Sequence, residues 1–289
     1  MVSSKPDRTA QRTELDMVVA AALAEDLGEN DVDVTTRSTI DPDLMGNAVV
    51  VARQAGVLSG SDAAARVFDM IRPRSDYVPL IADGTRIEAG DEVAKIAGPL
   101  STILIGERTA LNFLQRLSGV ATLTRRYADA LAPFTQVTLL DTRKTTPGLR
   151  FLERAAVRDG GGHNHRDGLW DAILIKDNHV AAAGGVGAAV KRARNAAMPV
   201  EVEVETLEQL AEALDSRAEI VLLDNMPAEL MRKAVEITAG RAKLEASGGM
   251  TLEGAVAAAR AGVDRISVGA LTHSAPALDL SLEVRQTWR

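Results

Sequence analysis

The chain has 289 residues, 46% of them apolar, with 33 Lys and Arg against 40 Asp and Glu for a net charge of −7. That apolar content can fill one large α/β barrel or two smaller domains, and an acidic chain offers no general nucleic-acid surface. Apolar stretches such as 20–24 and 180–183 fall far short of the roughly 20 residues that cross a bilayer, and the lack of cysteine excludes disulfides and thiolate metal sites, which fits a cytoplasmic protein.

In chain order, residues 1–10 are polar, lack the apolar centre of a secretory signal and read as a frayed leader. Thr13 opens a helix carrying Leu15, Val18, Val19, Ala22 and Leu23 on one face, and Leu27-Gly28 stops it with a left-handed cap. Short strands follow at 48–51, 77–81, 86–88 and 92–96. The turns Asp83-Gly84 and Ala89-Gly90-Asp91 separate the last three, as in an antiparallel sheet. A long helix begins near Leu100, carries Leu111, Leu114 and Leu117 at helical spacing, and is expected to break at Ser118-Gly119.

From about Val137 the texture changes to short apolar runs, each followed by a polar cluster and an Ala-rich helical stretch: the βαβ rhythm. The runs are 137–140, 172–175, 200–204, 220–223, 243–246 and 265–268, fewer than a complete eight-stranded barrel needs. In parallel sheets and barrels ligands bind at the carboxyl ends of the strands, so the residues after each run carry the functional information.

Those residues are Asp141-Thr142-Arg143-Lys144, Lys176-Asp177-Asn178-His179, Asp224-Asn225, Ser247-Gly248-Gly249 and Gly269-Ala270. The third run alternates Glu201, Glu203 and Glu205 on one face, and a glycine hinge carrying His163-Asn164-His165-Arg166 lies between the first two runs. One mouth therefore gathers cations, carboxylates and glycine-rich turns.

Taken singly, each has a plainer reading. Strand-end Arg and Lys are ordinarily solvated, Ser-Gly-Gly turns are common, and alternating Glu is the ordinary charged face of an edge strand. Within a buried parallel strand, however, a carboxylate needs a cation partner. Glycines after late barrel strands leave N–H groups free for a phosphate, and a helix opening at Thr251-Leu252-Glu253 adds positive potential. His163 and His165 alternate as metal ligands do, but an anion-binding role beside the planar fork of Arg166 suits them better. Lys176 stays open between Schiff-base nucleophile, substrate-anion ligand and ion-pair partner.

The segments Glu107-Arg108-Thr109-Ala110-Leu111-Asn112, 141–150, 160–166, 175–179, 201–204, 222–225, 245–249 and 268–272 together resemble the quinolinate phosphoribosyltransferases, in family order and without a missing element. These enzymes are also called decarboxylating nicotinate-nucleotide pyrophosphorylases. The resemblance implies an N-terminal α/β sandwich domain over 1–119, rejoined by 273–289, and an incomplete TIM-like α/β barrel of about six parallel strands over 120–272. It implies transfer of phosphoribosyl from phosphoribosyl pyrophosphate to quinolinate with decarboxylation. The products would be nicotinate mononucleotide, pyrophosphate and CO₂, with Mg²⁺ as cofactor, in NAD biosynthesis.

The same resemblance implies residue roles. Arg143, His165, Arg166 and Lys176 would grip the two quinolinate carboxylates, helped by Arg108 from a neighbouring subunit of a homodimer or larger homo-oligomer. Lys144, next to Thr142 and Arg143, would sit beside the pyrophosphate and the reacting centre. Glu203 and Asp224 would face the ribose hydroxyls and Mg²⁺. Ser247, Gly248, Gly249, Val268, Gly269 and Ala270 would hold the 5′-phosphate.

The chemistry suits these residue types. Displacing pyrophosphate from C1 of the sugar builds oxocarbenium character, which carboxylates stabilise, while cations neutralise the leaving group. Three other readings are weighed: a related pyrophosphorylase for another anionic ring, a Schiff-base lyase on Lys176, and a phosphosugar-binding protein without catalysis.

Overall fold

The computed structural model describes residues 8–30 and 32–289. The leader expected over 1–10 therefore lies, for residues 1–7, outside the described residues. In chain order the elements begin with α1 (Arg8–Leu27), α2 (Val34–Thr39), β1 (Met45–Ala52), β2 (Gly56–Val57), α3 (Ser61–Met70), β3 (Asp76–Pro79), β4 (Arg86–Ile87), β5 (Glu92–Pro99) and α4 (Leu100–Leu131). Next come β6 (Thr138–Leu140), α5 (Arg150–Asp159), β7 (Ile173–Ile175), α6 (Asp177–Ala183), α7 (Val186–Ala193), β8 (Val200–Val204), α8 (Leu207–Asp215), β9 (Ile220–Asp224) and α9 (Ala228–Thr238). The order closes with β10 (Lys243–Ser247), α10 (Leu252–Ala261), β11 (Arg265–Ser267), α11 (Ala270–His273) and β12 (Leu280–Trp288).

Two compact units result. One gathers the chain up to Leu123, Thr146–Gly160 and Ala275–Arg289; the other comprises Thr124–Thr145 and Gly161–Ser274. In the first unit an antiparallel sheet has the order β12-β1-β5-β3, and β2 pairs with β4. In β1 Ala48 to Ala52 are all buried instead of alternating, so both faces of this stretch are covered. Within this unit Glu153 is fully buried and bonds Arg116 at 2.7 Å, the Thr146 amide at 3.0 Å and the Thr146 hydroxyl at 2.7 Å.

Two expectations about helices need correction. α1 starts at Arg8, because the residues between it and Thr13 include no helix breaker. α4 does not break at Ser118-Gly119 but continues to Leu131. A Cβ on Gly119 would stand 2.1 Å from the Pro276 carbonyl oxygen, so this glycine serves a close backbone approach within an unbroken helix. Ser118 is likewise recruited for packing: its Oγ accepts from Ser59 N at 3.0 Å and donates to Ser59 O at 3.1 Å.

The second unit is a six-stranded parallel sheet with the order β6-β11-β10-β9-β8-β7. The cyclic order of a barrel is present, with β6 beside β11, but β6 and β7 do not pair. At β6 the outer neighbour is instead the hinge segment, through a parallel bridge between Leu140 and His163. This is the incomplete α/β barrel expected.

Register decides which side chains point into the mouth, because paired residues of parallel strands share a face and alternate residues return to it. Glu203, Leu222, Glu245 and Arg265 are register partners across β8, β9, β10 and β11. One layer towards the strand starts, Leu174 pairs with Glu201; one layer towards the strand ends, Asp224 pairs with Ser247. β8 lies between β7 and β9, so the edge-strand reading of its glutamates does not hold.

Candidate active site

A cavity of about 470 Å³ opens at these strand ends in the second unit. Its walls include Thr142, Arg143, Lys144, His165, Arg166, Lys176, Glu203, Asp224, Ser247, Gly248 and Gly249, which sequence reasoning singled out. They also include Leu174, Leu222, Asn225, Glu245 and Ser267, which it left without a role.

The cations occupy the β6 and β7 side. Thr142 Oγ1 accepts from Lys144 N at 3.1 Å, and Thr145 N bonds Arg143 O at 3.0 Å, so the strand turns sharply and spreads Arg143 and Lys144 apart. Thr272 Oγ1 donates to Lys144 O at 2.8 Å and fixes the turn. A Cβ on Gly269 would come within 3.0 Å of Lys144 Cδ, so this glycine leaves room for the lysine stem. Arg143 Nε is buried and has no hydrogen-bond partner. Burial and the neighbouring charge of Arg143 both lower the basicity of Arg166, whose Nη1 donates to Ala172 O at 3.2 Å. A buried donor left open and two guanidiniums pressing on one another make a site that an anion relieves.

The opposite wall is acidic and carries a glycine turn. Lys176 Nζ lies 2.7 Å from Glu203 Oε2, the lysine half exposed and the glutamate side chain only 10% so. His179 Nδ1 accepts from Lys176 N at 3.0 Å, capping α6 and fixing where the lysine departs. Glu205 lies beyond the end of β8 and is exposed. Asn225, in the left-handed region at φ 52°, donates from Nδ2 to Asp224 Oδ2 at 2.7 Å and from its amide to Ser247 O at 3.0 Å. Gly248 has φ 93°, and a Cβ there would stand 2.3 Å from Asn225 Oδ1 and 2.8 Å from Asn225 N. Ser267 Oγ donates to Ser247 Oγ at 3.0 Å. Val268 is fully buried, and its amide bonds Leu140 O at 3.0 Å. It leads into Gly269 and Ala270 at the start of α11.

The two hinge histidines part company. His163 is exposed and its backbone joins β6, while His165 turns towards the barrel interior. There its Nε2 is 3.0 Å from Glu201 Oε2 and 3.4 Å from Glu245 Oε1. Glu201 and Glu245 are 4% and 0% exposed. Burial works against charge on the ring, but its ion pairs with Glu201 and, more loosely, Glu245 outweigh it and push the His165 pKa up to about 9. Arg265 Nε sits 2.9 Å from Glu245 Oε2. With His165 it holds the Glu245 carboxyl below its usual range, although burial raises it. Asp141, fully buried at the end of β6, accepts from His165 N at 2.7 Å and from Asn164 Nδ2 at 2.6 Å, which sets the course of the hinge.

Residues 33–118 match the model of the quinolinate phosphoribosyl transferase N-terminal domain, and residues 120–283 match that of its C-terminal domain. The chain belongs to the quinolinate phosphoribosyltransferase family. A chloroplastic nicotinate-nucleotide pyrophosphorylase (carboxylating) of Arabidopsis thaliana is 41% identical over 94% of this chain and 83% of that protein. A mitochondrial quinolinate phosphoribosyltransferase (decarboxylating) of Nicotiana tabacum is 41% identical over 94% of this chain and 82% of its own length. The solved nicotinate-nucleotide pyrophosphorylase of Francisella tularensis superposes with a TM-score of 0.89 at 40% identity, covering 94% of this chain and 96% of that one.

Of the residues the family resemblance marks, the mouth unites all but four. Val268, Gly269 and Ala270 lie just behind its wall, and Arg108 is exposed on α4, in the other compact unit. Three of the omissions share a cause. Glu245, Leu222 and Leu174 sit inside apolar runs, and only strand register shows that they face the same way as Glu203. No helix among the described residues is long and apolar enough to cross a membrane.

Proposed function

We propose that this family member transfers the phosphoribosyl group of phosphoribosyl pyrophosphate to the ring nitrogen of quinolinate, with loss of the 2-carboxylate as CO₂, yielding nicotinate mononucleotide. The reading rests on one observation: Arg143, with its open buried donor, and Arg166 face the carboxylates Glu203 and Asp224 across a single cavity. A dianionic ring and a pyrophosphorylated sugar together need both halves, whereas a simple phosphosugar binder needs only one.

In this reading Arg143 and Arg166 hold the two carboxylates, and Lys144 neutralises the departing pyrophosphate. Glu203 and Asp224 stabilise positive charge developing on the ribose, and the turn at Ser247-Gly248-Gly249 offers backbone donors to the 5′-phosphate. Glu203 and Asp224 are oxygen donors only, as Mg²⁺ prefers, and would reach it through water and ribose hydroxyls. When bound, the ion adds charge neutralisation at the leaving group. After ribosylation the ring nitrogen is cationic, so the substrate is its own electron sink for decarboxylation. The residues need only fix the ring and keep water away.

We further propose that the active form is a dimer or larger homo-oligomer in which the exposed Arg108 reaches the mouth of a neighbouring copy. We place the enzyme in the cytoplasm, where a chain without cysteine is at no disadvantage. The Schiff-base alternative is disfavoured because Lys176 Nζ is engaged by Glu203 Oε2 at 2.7 Å, which points the lysine at a carboxylate instead of leaving it to attack a carbonyl. The deciding experiment supplies purified protein with Mg²⁺, phosphoribosyl pyrophosphate and quinolinate. Equal release of CO₂ and pyrophosphate is expected, and no turnover would reject the proposal.

A further inference from the structure

Beneath the mouth lies a buried charge quartet that the proposed reaction does not by itself require. Glu201 from β8, His165 from the hinge, Glu245 from β10 and Arg265 from β11 form a chain with separations of 3.0, 3.4 and 2.9 Å. Two carboxylates and two cations sum to zero only when the imidazole is protonated. A buried carboxylate without a counter-charge is strongly unfavourable. Charge balance thus outweighs the one contact that favours a neutral ring, the Arg166 amide 2.8 Å from Nδ1. Glu201, His165 and Glu245 also have the spacing of a metal site, with ligand atoms within 4.8 Å of one another. Arg265 already supplies the positive charge that an ion would bring.

The remaining charged groups around the ring pull both ways, with Arg143 and Arg166 opposing a further cation beside them. Asp141 takes the His165 backbone amide at 2.7 Å, Arg143 and Arg166 line the same cavity, and Lys176 is occupied by Glu203. His165 itself lines the cavity with a side chain only 10% exposed, and its Nε2 is turned away towards the glutamates. It therefore addresses a ligand through its charge and ring edge.

We infer that Glu201 and Glu245, backed by Arg265, are positioning residues that hold His165 as a fixed cation at the floor of the mouth, where it receives an anionic group of the aromatic substrate. The inference rests on the proposed function for the identity of that anion. The two carboxylates raise the ring's proton affinity against the opposing effect of burial, in agreement with a pKa pushed up to about 9.

The test combines a spectroscopic and a kinetic measurement. In the free, ¹⁵N-histidine-labelled protein at pH 7.5, with His165 assigned by its loss in His165→Asn, both ring nitrogens should show imidazolium shifts. In Glu201→Gln and Glu245→Gln the ring should show a neutral signature at the same pH. These variants should raise KM for quinolinate about tenfold, as expected for a lost charged contact, with kcat and the KM for phosphoribosyl pyrophosphate little changed. Glu201→Asp should recover part of the loss. A neutral His165 ring in the wild type overturns the inference even if the glutamate variants do not fold, and so does an unchanged KM in folded variants. The spectrum needs no substrate. Failure of the wild type to use quinolinate would therefore reject the proposed reaction while leaving the ring's charge to be decided separately.

Discussion

Lys176 Nζ and Glu203 Oε2 lie 2.7 Å apart at the ends of neighbouring strands of the cavity wall, so two groups assigned to different substrates pair with each other in the free protein. In the proposed reaction, binding would exchange this pair for contacts with substrate. Glu203→Ala should therefore lower kcat by about 10²-fold, since it removes a carboxylate facing the developing charge. Glu205→Ala, beyond the strand end, should change it little. Equal effects in steady-state assays would show that the wrong glutamate had been assigned.

Gly248 and Gly249 should differ sharply on substitution. Gly248→Ala places a methyl group against Asn225 at positive φ, and should cost about 1–3 kcal/mol of stability while weakening phosphoribosyl pyrophosphate binding. Gly249→Ala also takes a left-handed φ, at 49°, but meets nothing nearer than 3.9 Å and should be milder. Thermal unfolding and KM for phosphoribosyl pyrophosphate, measured on both, check the contrast.

Arg108→Ala and Lys144→Ala, each nearly inactive alone, should complement when mixed as refolded or co-expressed subunits. Random pairing puts both defects in one site of each heterodimer and leaves the other intact, restoring about a quarter of wild-type activity. No recovery would confine Arg108 to its own subunit.

His165 should make stability depend on pH in a definite direction. Its proton is held up to about pH 9 in the folded protein, against an ordinary value of about 6.5 in the unfolded chain. The stabilisation is fully present below about 6.5 and is lost as pH rises through about 9. The Tm gap between wild type and His165→Gln should thus be wide at pH 6 and narrow by pH 10. A gap independent of pH would contradict a charged ring.

Glu153→Ala should be among the most destabilising single changes, because it strands Arg116 and opens the bonds to Thr146. A loss of about 3–5 kcal/mol is expected in denaturant unfolding.

Strand-end residues were legible from the sequence because a parallel strand shows itself as an apolar run and the ligand site follows it. Arg143, Lys176, Asp224 and Gly248 were found that way. Glu245 and the environment of His165 were not, because which face a residue takes depends on pairing between strands far apart in sequence. A run reading Lys-Leu-Glu-Ala-Ser gives no sign that its glutamate meets a histidine 80 positions earlier. Gly119 misled for a related reason. A glycine inside helical spacing looks like a break, and only the distant Pro276 carbonyl explains it. Local chemistry was readable, whereas long-range approach was not.

β1 takes one neighbour from β5 and the other from β12, residues that leave the ribosome some 230 positions later. During synthesis a largely apolar strand must therefore wait with one hydrogen-bonding edge uncovered, a template for pairing with other nascent chains. Expression yield and aggregation of truncated chains should be governed by that wait more than by anything in the catalytic mouth.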